Sequence, residues 1–182
     1  MGDAPRVYDI SVTLGREAPP YPGDVPFERL THSALVEGTP YELSSLRLSA
    51  HAGTHLDAPA HVALGGKRLD DYDPGAFVLP ACVVEVAGDV VRREDVARAS
   101  MRAGEALLFR TRNSRSGLCR RPVYSAEYVY VSPEAAAQCV ARGAAIVGID
   151  YLSVDAAEDE RLTTHHVLMD AGVSVLEGLD LS

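Results

Sequence analysis

The residues from His51 to His61, His-Ala-Gly-Thr-His-Leu-Asp-Ala-Pro-Ala-His, restrict the local fold more than any other segment of the chain. Three histidines and an aspartate occupy odd-numbered positions in it: His51, His55, Asp57 and His61. In a continuous helix, at about 100° per residue, His51 and His55 would share one face while Asp57 and His61 would lie roughly opposite. The spacing therefore excludes a continuous helix as the scaffold of a shared site.

A straight strand fails for a different reason, because its length separates the polar groups. At a rise of ~3.3 Å per residue, His51 and Asp57 would lie about 20 Å apart, whereas ligands of one metal ion lie ~2 Å from it. Gly53 can adopt the conformations of a tight bend, and Pro59 keeps the residue before it extended. We therefore predict a curled segment that turns Asp57 inward and lets His61 approach from farther along.

These residue types indicate metal binding, proton transfer or both, because histidine is a common metal ligand and titrates near neutrality. His51, His55 and Asp57 would suffice for a mononuclear site that keeps water as its fourth ligand, leaving His61 as an acid or base. Isolated histidines often satisfy core carbonyls or cap turns. Burying several imidazoles and a carboxylate without partners would be costly, which favours the functional interpretation.

A second histidine cluster lies more than a hundred residues farther along the chain. Thr163-Thr164-His165-His166 is followed by a carboxylate at Glu177. Either group alone is weak evidence for a site, but together they could bind a second ion. His32 belongs to neither cluster and is predicted to be structural.

Composition limits the class of protein. With 182 residues, 47% of them hydrophobic and 24% charged, the chain is typical of a soluble globular protein, and we predict a single domain over residues 1–182. A formal net charge of −9 disfavours nucleic acid and anionic membranes as partners. The three cysteines form no Cys-x-x-Cys pair, which indicates reduced thiols. Because the first residues lack a signal-peptide pattern and no apolar run approaches the ~20 residues of a membrane helix, we predict a cytoplasmic protein.

Strand and helix patterns mix along the chain, which predicts an α/β fold. Strands are predicted at 7–12, 41–49, 79–87, 105–110, 145–149 and 173–176, the last of them running into Glu177. Helices are predicted at 92–100, 133–143 and 162–170. The strand at 41–49 breaks its alternation near Ser44 and Ser45, where a bulge is expected. The proline-rich residues 17–26 predict a stiff, irregular loop that carries Tyr21.

The run His-x-Gly-Thr-His-x-Asp-Ala-Pro-x-His resembles the signature of the cyclase-like metal-dependent hydrolases, which include bacterial kynurenine formamidases, isatin hydrolases and cyclases linked to polyketide pathways. The resemblance extends to Tyr8-Asp9-Ile10-Ser11, Tyr21-Pro22-Gly23-Asp24, Gly148-Ile149-Asp150, Ser153-Val154-Asp155 and the stretch ending at Glu177. It implies an α/β fold around a curved, barrel-like mixed sheet of the swivelling β/β/α type, with flanking helices. It also implies a homodimer or larger oligomer, such as a tetramer, whose subunits complete each other's pocket.

The resemblance also implies a role for each candidate site residue. The implied metal ligands are His51, His55, Asp57, His165 and Glu177. Asp57 and Glu177 would bridge two divalent ions, and His61 would donate and accept protons. Of the adjacent histidines, His165 rather than His166 matches the family's spacing to Glu177.

The implied reaction is hydrolysis of an amide, formamide or lactam C–N bond of a small molecule by metal-activated water. The sequence carries no Gly-x-Ser-x-Gly elbow, in agreement with a reaction that needs no protein nucleophile. Imidazole and carboxylate ligands suit zinc, which we predict first, and also manganese or iron(II). Two alternatives stay open: a cyclase or dehydratase in natural-product assembly, and a non-catalytic metal-binding protein.

Tyr21 and an arginine-rich stretch bear on the substrate. Family formamidases carry tryptophan before Pro-Gly-Asp, where this chain has Tyr21 and where tyrosine offers less stacking area and adds a hydroxyl. Tyr21 is therefore predicted to bind substrate, with plain packing as the alternative. The stretch 110–121 is either a solvated loop or a rim that attracts an anionic substrate, since clustered arginines can pair with carboxylates.

Overall fold

The computed structural model describes residues 6–182; the first five residues, on which the prediction about a signal peptide largely rests, lie outside the described range. The strands of this range are β1 (Glu28–Ser33), β2 (Leu43–Arg47), β3 (His55–Asp57), β4 (Ala81–Glu85), β5 (Val90–Val91), β6 (Ala106–Arg110), β7 (Tyr130–Val131), β8 (Ile146–Ile149) and β9 (Ser174–Glu177). The α-helices are α1 (Arg93–Ala97), α2 (Arg112–Arg115), α3 (Pro133–Ala141) and α4 (Thr163–Met169). Short 3-10 helices span Pro59–His61, Leu69–Asp71, Pro74–Phe77 and Leu118–Arg120.

A five-stranded sheet in the order β3-β9-β8-β6-β4 forms the centre of the structure. β4, β6, β8 and β9 are parallel, and β3 joins the end of the sheet antiparallel to β9. β6 and β8 are buried almost throughout, as expected for strands that are covered on both faces. The predicted mixed α/β class is confirmed. β3 and β4 are the outer strands of an open sheet in the described residues, and the barrel-like curvature stays a prediction.

The two faces of this sheet are covered differently. Helices α1, α3 and α4 contribute buried side chains to the larger core, which also contains Phe109 and Val147 from the sheet. On the opposite face Leu108 and Ile146 pack with Leu179 and Leu181, near the end of the chain. No helix in residues 6–182 combines the length and the apolar character that crossing a membrane requires.

Helix α3 begins and ends where the sequence predicts. The Ser132 hydroxyl accepts a hydrogen bond from the Ala135 amide at 3.2 Å, and Pro133 occupies the first helical position. Gly143 follows the helix with φ +72°, a left-handed conformation that glycine adopts without strain. The other predicted helices are also confirmed, as are the strands predicted from residue 41 onward, although most elements are shorter than expected.

The prediction of a strand at residues 7–12 is wrong. Within this segment only Ser11 pairs as a strand residue, through a single antiparallel bridge to Leu179. Ser11 also donates its amide and its hydroxyl to the Asp9 carboxylate, at 2.9 and 2.6 Å. Such local side-chain bonds compete with a strand ladder, which explains why the apolar pattern does not produce one.

β1 and β2 form a hairpin, of which the sequence predicted only the second strand, β2. The composition of β1, Glu-Arg-Leu-Thr-His-Ser, lacks the apolar alternation that identifies a half-buried strand. The register of the pair shifts between Thr31 and Ser33, so the irregularity lies in β1, opposite the expected position in β2. His32 lies at this shift, its Nε2 contacts the Ser45 hydroxyl at 2.9 Å, and it belongs to neither set of candidate ligands.

Candidate metal centre

The segment from His51 to His61 curls as predicted. A turn containing Gly53 leads into β3, and the 3-10 helix Pro59–His61 follows directly. Gly53 has φ +70°, and Ala58 is extended at φ −104° and ψ 160°, as expected before proline. The motif thus combines a turn, a short strand and a 3-10 helix, and side chains that a straight strand would separate lie close together.

The two halves of the candidate site meet because β3 pairs with β9. In the antiparallel register His55 lies opposite Glu177. Next to this pair the Thr54 hydroxyl donates to the Gly178 carbonyl at 2.5 Å. Gly178 has φ +68°, and a Cβ there would lie 2.2 Å from the Gly53 oxygen, so the two turns approach as closely as glycine allows.

Three polar groups of the first motif lie within contact distance of one another. His51 Nδ1 is 2.9 Å from Asp57 Oδ1 and 3.2 Å from His55 Nε2. His55 Nε2 lies 3.6 Å from both Asp57 Oδ2 and Glu177 Oε2. His55 Nδ1 contacts the Gly53 carbonyl at 3.0 Å, which orients Nε2 toward the carboxylates.

Helix α4 adds His165 to this group and leaves His166 outside it. His165 is buried, with Nε2 3.3 Å from Glu177 Oε1 and 3.7 Å from Asp57 Oδ2. His166 is half-exposed on another face of the helix and lies near Asp170. The structure therefore places His51, His55, Asp57, His165 and Glu177 together and leaves His166 outside this group.

The donor atoms fit a divalent cation. Asp57 Oδ2 and His165 Nε2 are buried without a hydrogen-bond partner among residues 6–182, and leaving such atoms unpaired is costly. Two sets of three residues, His51, Asp57 and His61, and His55, Asp57 and Glu177, each place their ligand atoms within 4.8 Å of one another. Asp57 belongs to both sets. Imidazole and carboxylate together suit zinc, manganese or iron.

The carboxylates and imidazoles of this cluster shift one another's pKa. Burial alone would raise the pKa of Asp57, but the neighbouring imidazoles of His165, His51 and His55 hold it well below its usual range. Burial alone would lower the pKa of His165, but hydrogen bonding and attraction to carboxylates raise it to about 12. A cation bound here competes with these protons, because imidazole ligands bind metal in their neutral form.

His61 occupies a different environment from the predicted ligands. Its ring centroid lies 4.3 Å from that of His51 and 5.5 Å from that of His165. Burial lowers the pKa of His61, which favours a neutral ring at neutral pH. A neutral imidazole beside the buried donors can accept a proton and return it.

A pocket of about 180 Å³ opens onto these groups. Its lining residues are Tyr21, Asp24, His51, His61, Leu152, Ser153, Leu162, His165 and Glu177. The Tyr21 ring contacts Tyr124 edge to face, with centroids 5.6 Å apart, so the predicted substrate-binding tyrosine does line the pocket. The loop carrying Tyr21 is tied to the motif through Ser49, which donates to Asp24 at 2.8 Å and accepts the His51 amide at 3.1 Å.

The arginine-rich stretch lies away from this pocket, and among the described residues neither arginine nor lysine lines it. The stretch forms α2 and a 3-10 helix, and four of its five guanidinium groups pair with carboxylates. The pairs are Arg110–Glu85, Arg115–Glu85, Arg112–Asp89 and Arg120–Asp180. These contacts support a structural role and oppose the interpretation as a rim for an anionic substrate.

Several residues at the site carried no predicted role, Asp155 and Leu162 among them. Asp155 is buried and contacts His165 Nδ1, although its motif, Ser153-Val154-Asp155, was noted only as part of the resemblance. Leu162 lines the pocket and has φ +52°, the one positive φ outside glycine in residues 6–182. It directly precedes α4, and no sequence pattern signals a left-handed leucine.

Comparison with known proteins gives consistent matches over nearly the whole chain. The Cyclase family model, described as "Putative cyclase", matches residues 8–156. A kynurenine formamidase of Salinibacter ruber is 34% identical over 177 residues, covering 96% of this chain and 82% of the relative. A kynurenine formamidase of Geobacillus thermodenitrificans is 30% identical over 174 residues, covering 95% and 81%.

Solved structures also superimpose on this chain over nearly its whole length. A predicted metal-dependent hydrolase from Bacillus stearothermophilus superimposes with a TM-score of 0.79 at 28% identity, covering 97% of this chain and 83% of the other. Isatin hydrolase A from Labrenzia aggregata superimposes with a TM-score of 0.78 at 22% identity, covering 96% and 80%. The second match shows a shared fold.

Proposed function

The chain belongs to the Cyclase family, and we propose that it is a metal-dependent hydrolase that cleaves an amide, formamide or lactam C–N bond of a small molecule. Membership confirms the resemblance drawn from the histidine motif. The observation that carries the proposal is the convergence of imidazoles and carboxylates around two buried, unpaired ligand atoms, Asp57 Oδ2 and His165 Nε2. The matched relatives include formamidases and an isatin hydrolase, which act on C–N bonds other than peptide bonds.

The proposed metal ligands are His51, His55, Asp57, His165 and Glu177. Asp57 Oδ1 lies 2.9 Å from His51 Nδ1, and Asp57 Oδ2 lies 3.6 and 3.7 Å from the Nε2 atoms of His55 and His165, which supports two ions per subunit. Zinc is the proposed ion, with manganese and iron as alternatives of the same ligand preference. A divalent cation in such a site acidifies water and polarises a substrate carbonyl.

His61 is the proposed acid and base. It lines the pocket beside His51 and His165, within reach of a substrate that lies over the ligands. In the proposed reaction a ring nitrogen of His61 takes a proton from the attacking water while the new C–O bond forms. The same nitrogen returns the proton to the departing amine as the C–N bond breaks, so no covalent enzyme intermediate is required.

The pocket favours a compact substrate. Its volume of about 180 Å³ is small for a ligand site, and the Tyr21 ring forms part of its wall. Tyr21 is proposed to stack on a planar amide or aromatic ring of the substrate. Leu152 and Leu162 supply apolar contact on other parts of the lining.

Self-association is proposed from the β1–β2 hairpin. Nine of its residues are exposed, and a two-stranded hairpin is at best marginally stable alone in water. Leu30, Leu43 and Leu46 are each more than half exposed on it. Exposed apolar groups of this kind mark interaction surfaces, which supports a homodimer or larger oligomer. Light scattering should show an oligomer that Leu46→Glu dissociates; a monomeric wild-type protein would contradict this.

Three broader expectations are proposed together with this function. The chain is proposed to act as one domain, its sheet to have a barrel-like curvature, and the protein to reside in the cytoplasm. Limited proteolysis tests whether the chain is one domain. A crystal structure tests the curvature of the sheet, and cell fractionation tests the location in the cytoplasm.

A cyclase or dehydratase activity is the second candidate. It is favoured by a solved structure described as a potential metal-dependent hydrolase with cyclase activity, which has a TM-score of 0.79 at 27% identity and covers 97% of this chain. Both activities would use the same ligands and differ in the substrate that the pocket accepts.

The deciding experiment begins with metal analysis of the purified protein. We expect a divalent ion, loss of activity on chelation, and recovery on adding zinc or manganese. Assays of the reconstituted protein with N-formylkynurenine, isatin and a simple lactam should then show C–N bond hydrolysis. A protein that holds no divalent ion and is unaffected by chelators would overturn the proposal, and turnover of cyclisation substrates alone would favour the second candidate.

A further inference from the structure

Asp155 binds the beginning of α4 with both of its carboxylate oxygens. The residue is almost completely buried, at 1% exposure. Its Oδ1 accepts the Thr164 amide at 2.5 Å, and its Oδ2 accepts the His165 amide at 3.3 Å. Oδ2 also contacts His165 Nδ1, the ring nitrogen on the side away from the other candidate ligands. One carboxylate thus holds both the backbone and the ring of His165.

The same short segment also holds Glu177. The Val154 amide donates to Glu177 Oε1 at 2.7 Å, and the Asp155 amide donates to the Ser153 hydroxyl at 3.1 Å. The segment is anchored in turn, because the Val154 carbonyl accepts the Val131 amide at 2.8 Å. Consecutive residues therefore contact the two candidate ligands that lie outside the first histidine motif.

We propose that Asp155 is a positioning residue of the metal centre, which fixes the proton of His165 on Nδ1 and directs Nε2 at the metal. This inference rests on the proposed function. A neutral imidazole carries one proton, so donation from Nδ1 to Asp155 leaves the Nε2 lone pair free. Nε2 is one of the two buried atoms without a hydrogen-bond partner in the described residues, and it lies between Asp57 and Glu177. A carboxylate behind a ligating histidine also increases the basicity of the ligand.

The chain supplies a matched control for this carboxylate. Asp150 is also fully buried, and it accepts the Thr111 amide at 2.7 Å, the Thr111 hydroxyl at 2.8 Å and the Ser114 amide at 3.1 Å. It holds the beginning of α2 much as Asp155 holds that of α4, but its hydrogen bonds reach no candidate ligand. Asp150→Asn therefore reports the cost of removing a buried structural carboxylate.

Zinc affinity of the full chain, measured by competition with a chromophoric chelator, tests the inference without reference to turnover. We expect Asp155→Asn to weaken zinc binding roughly 10- to 100-fold, the usual cost of losing such a partner. Asp150→Asn should leave the affinity within about twofold of wild type, whatever it does to thermal stability. In a His165→Ala background, Asp155→Asn should have no further effect. Equal zinc affinity of Asp155→Asn and wild type, or equal losses in Asp155→Asn and Asp150→Asn, would overturn the inference.

A measurement on the wild-type protein keeps the test independent of how the variants fold. Nitrogen-15 NMR of histidine-labelled, zinc-loaded protein should show a slowly exchanging proton on His165 Nδ1 and none on Nε2. A proton on Nε2, with Nδ1 toward the metal, would overturn the inference. If the wild-type protein binds no zinc, manganese or iron, the proposed function itself fails; if it binds metal and Asp155→Asn binds it equally well, only the role of Asp155 fails.

Discussion

His55 and Glu177 face each other across the β3–β9 ladder, with His55 Nε2 3.6 Å from Glu177 Oε2, although more than a hundred residues separate them in sequence. The site is therefore assembled by sheet pairing: one strand carries the histidine motif and the other ends in a carboxylate. Because β9 is the last strand of the described chain and β3 precedes the other four strands of the central sheet, the site depends on a contact between distant parts of the chain.

Metal removal should lower thermal stability. A cation that binds the folded chain at a thousand times its Kd stabilises it by about 4 kcal/mol, because the unfolded chain holds no assembled site. We expect chelated protein to unfold several degrees below the zinc-loaded protein in scanning calorimetry. Asp57→Ala serves as the control, since added zinc should not shift its Tm. An identical Tm for chelated and zinc-loaded wild-type protein would show that no cation binds at the cluster.

His61→Ala should separate proton transfer from metal binding. Loss of a general acid and base costs typically 10²- to 10⁴-fold in rate, while the ligands His51, His55 and Asp57 stay in place. We expect the variant to retain its metal content but to lose most turnover, and Asp57→Ala to lose both. Metal analysis and initial rates on the same preparations provide the check. If His61→Ala lost its metal, His61 would have to be reassigned as a ligand, as one of the two candidate sets permits.

Much of this site could be predicted because His51, His55, Asp57 and His61 lie within eleven consecutive residues. The positions of Gly53 and Pro59 predicted a curl, and the structure has that curl, with a left-handed Gly53 and an extended residue before Pro59. Spacing alone could not place His165 and Glu177, since their proximity depends on the register of β9 and on the direction in which α4 leaves Leu162. Their residue types made them candidates for a second ion, and the resemblance joined them to the first motif and chose His165 over His166.

Other features could not be predicted for identifiable physical reasons. Asp155 was assigned no role, because only the tertiary structure shows that its carboxylate meets His165. The failed strand at 7–12 had the right apolar pattern, but Asp9 takes the amide and hydroxyl of Ser11. β1 was missed because neither face of the hairpin is buried in this chain, so its sequence carries no alternation.

Tyr21 should influence substrate binding through its ring. The ring lines the pocket and contacts Tyr124 edge to face, so Tyr21→Ala would open the wall while Tyr21→Phe preserves it. We expect Tyr21→Ala to raise KM for an aromatic amide about 2- to 10-fold, in line with a stacking contribution of about 0.5–1.5 kcal/mol. Tyr21→Phe should remain near wild type. If Tyr21→Phe were as impaired as Tyr21→Ala, the hydroxyl rather than the ring would bind the substrate.

The cysteines should differ in reactivity. Burial raises the pKa of Cys119 to about 11 and that of Cys139 to about 12, so both thiols stay protonated near neutral pH. Cys82 is only partly buried on β4. Titration of native protein with a disulfide reagent at pH 8 should therefore modify Cys82 first, and denaturant should release the other two. Cys82→Ser provides the control, and fast modification of that variant in its native state would contradict the expected burial of Cys119 and Cys139.

Gly178, which contacts Gly53, should be the backbone position of the site that is most sensitive to substitution. A Cβ at residue 178 would lie 2.2 Å from the Gly53 oxygen, so Gly178→Ala must push apart the turns that align β3 with β9. Gly172 also has a positive φ, +79°, but a Cβ there meets nothing within 4 Å, which makes Gly172→Ala a matched control for backbone strain alone.

We expect Gly172→Ala to lower the free energy of unfolding by about 1–2 kcal/mol. Gly178→Ala should cost more, and should also weaken zinc binding because His55 and Glu177 would no longer face each other. Denaturant unfolding and chelator competition on both variants give the comparison, and equal zinc affinity in the two would show that the site tolerates movement between these strands.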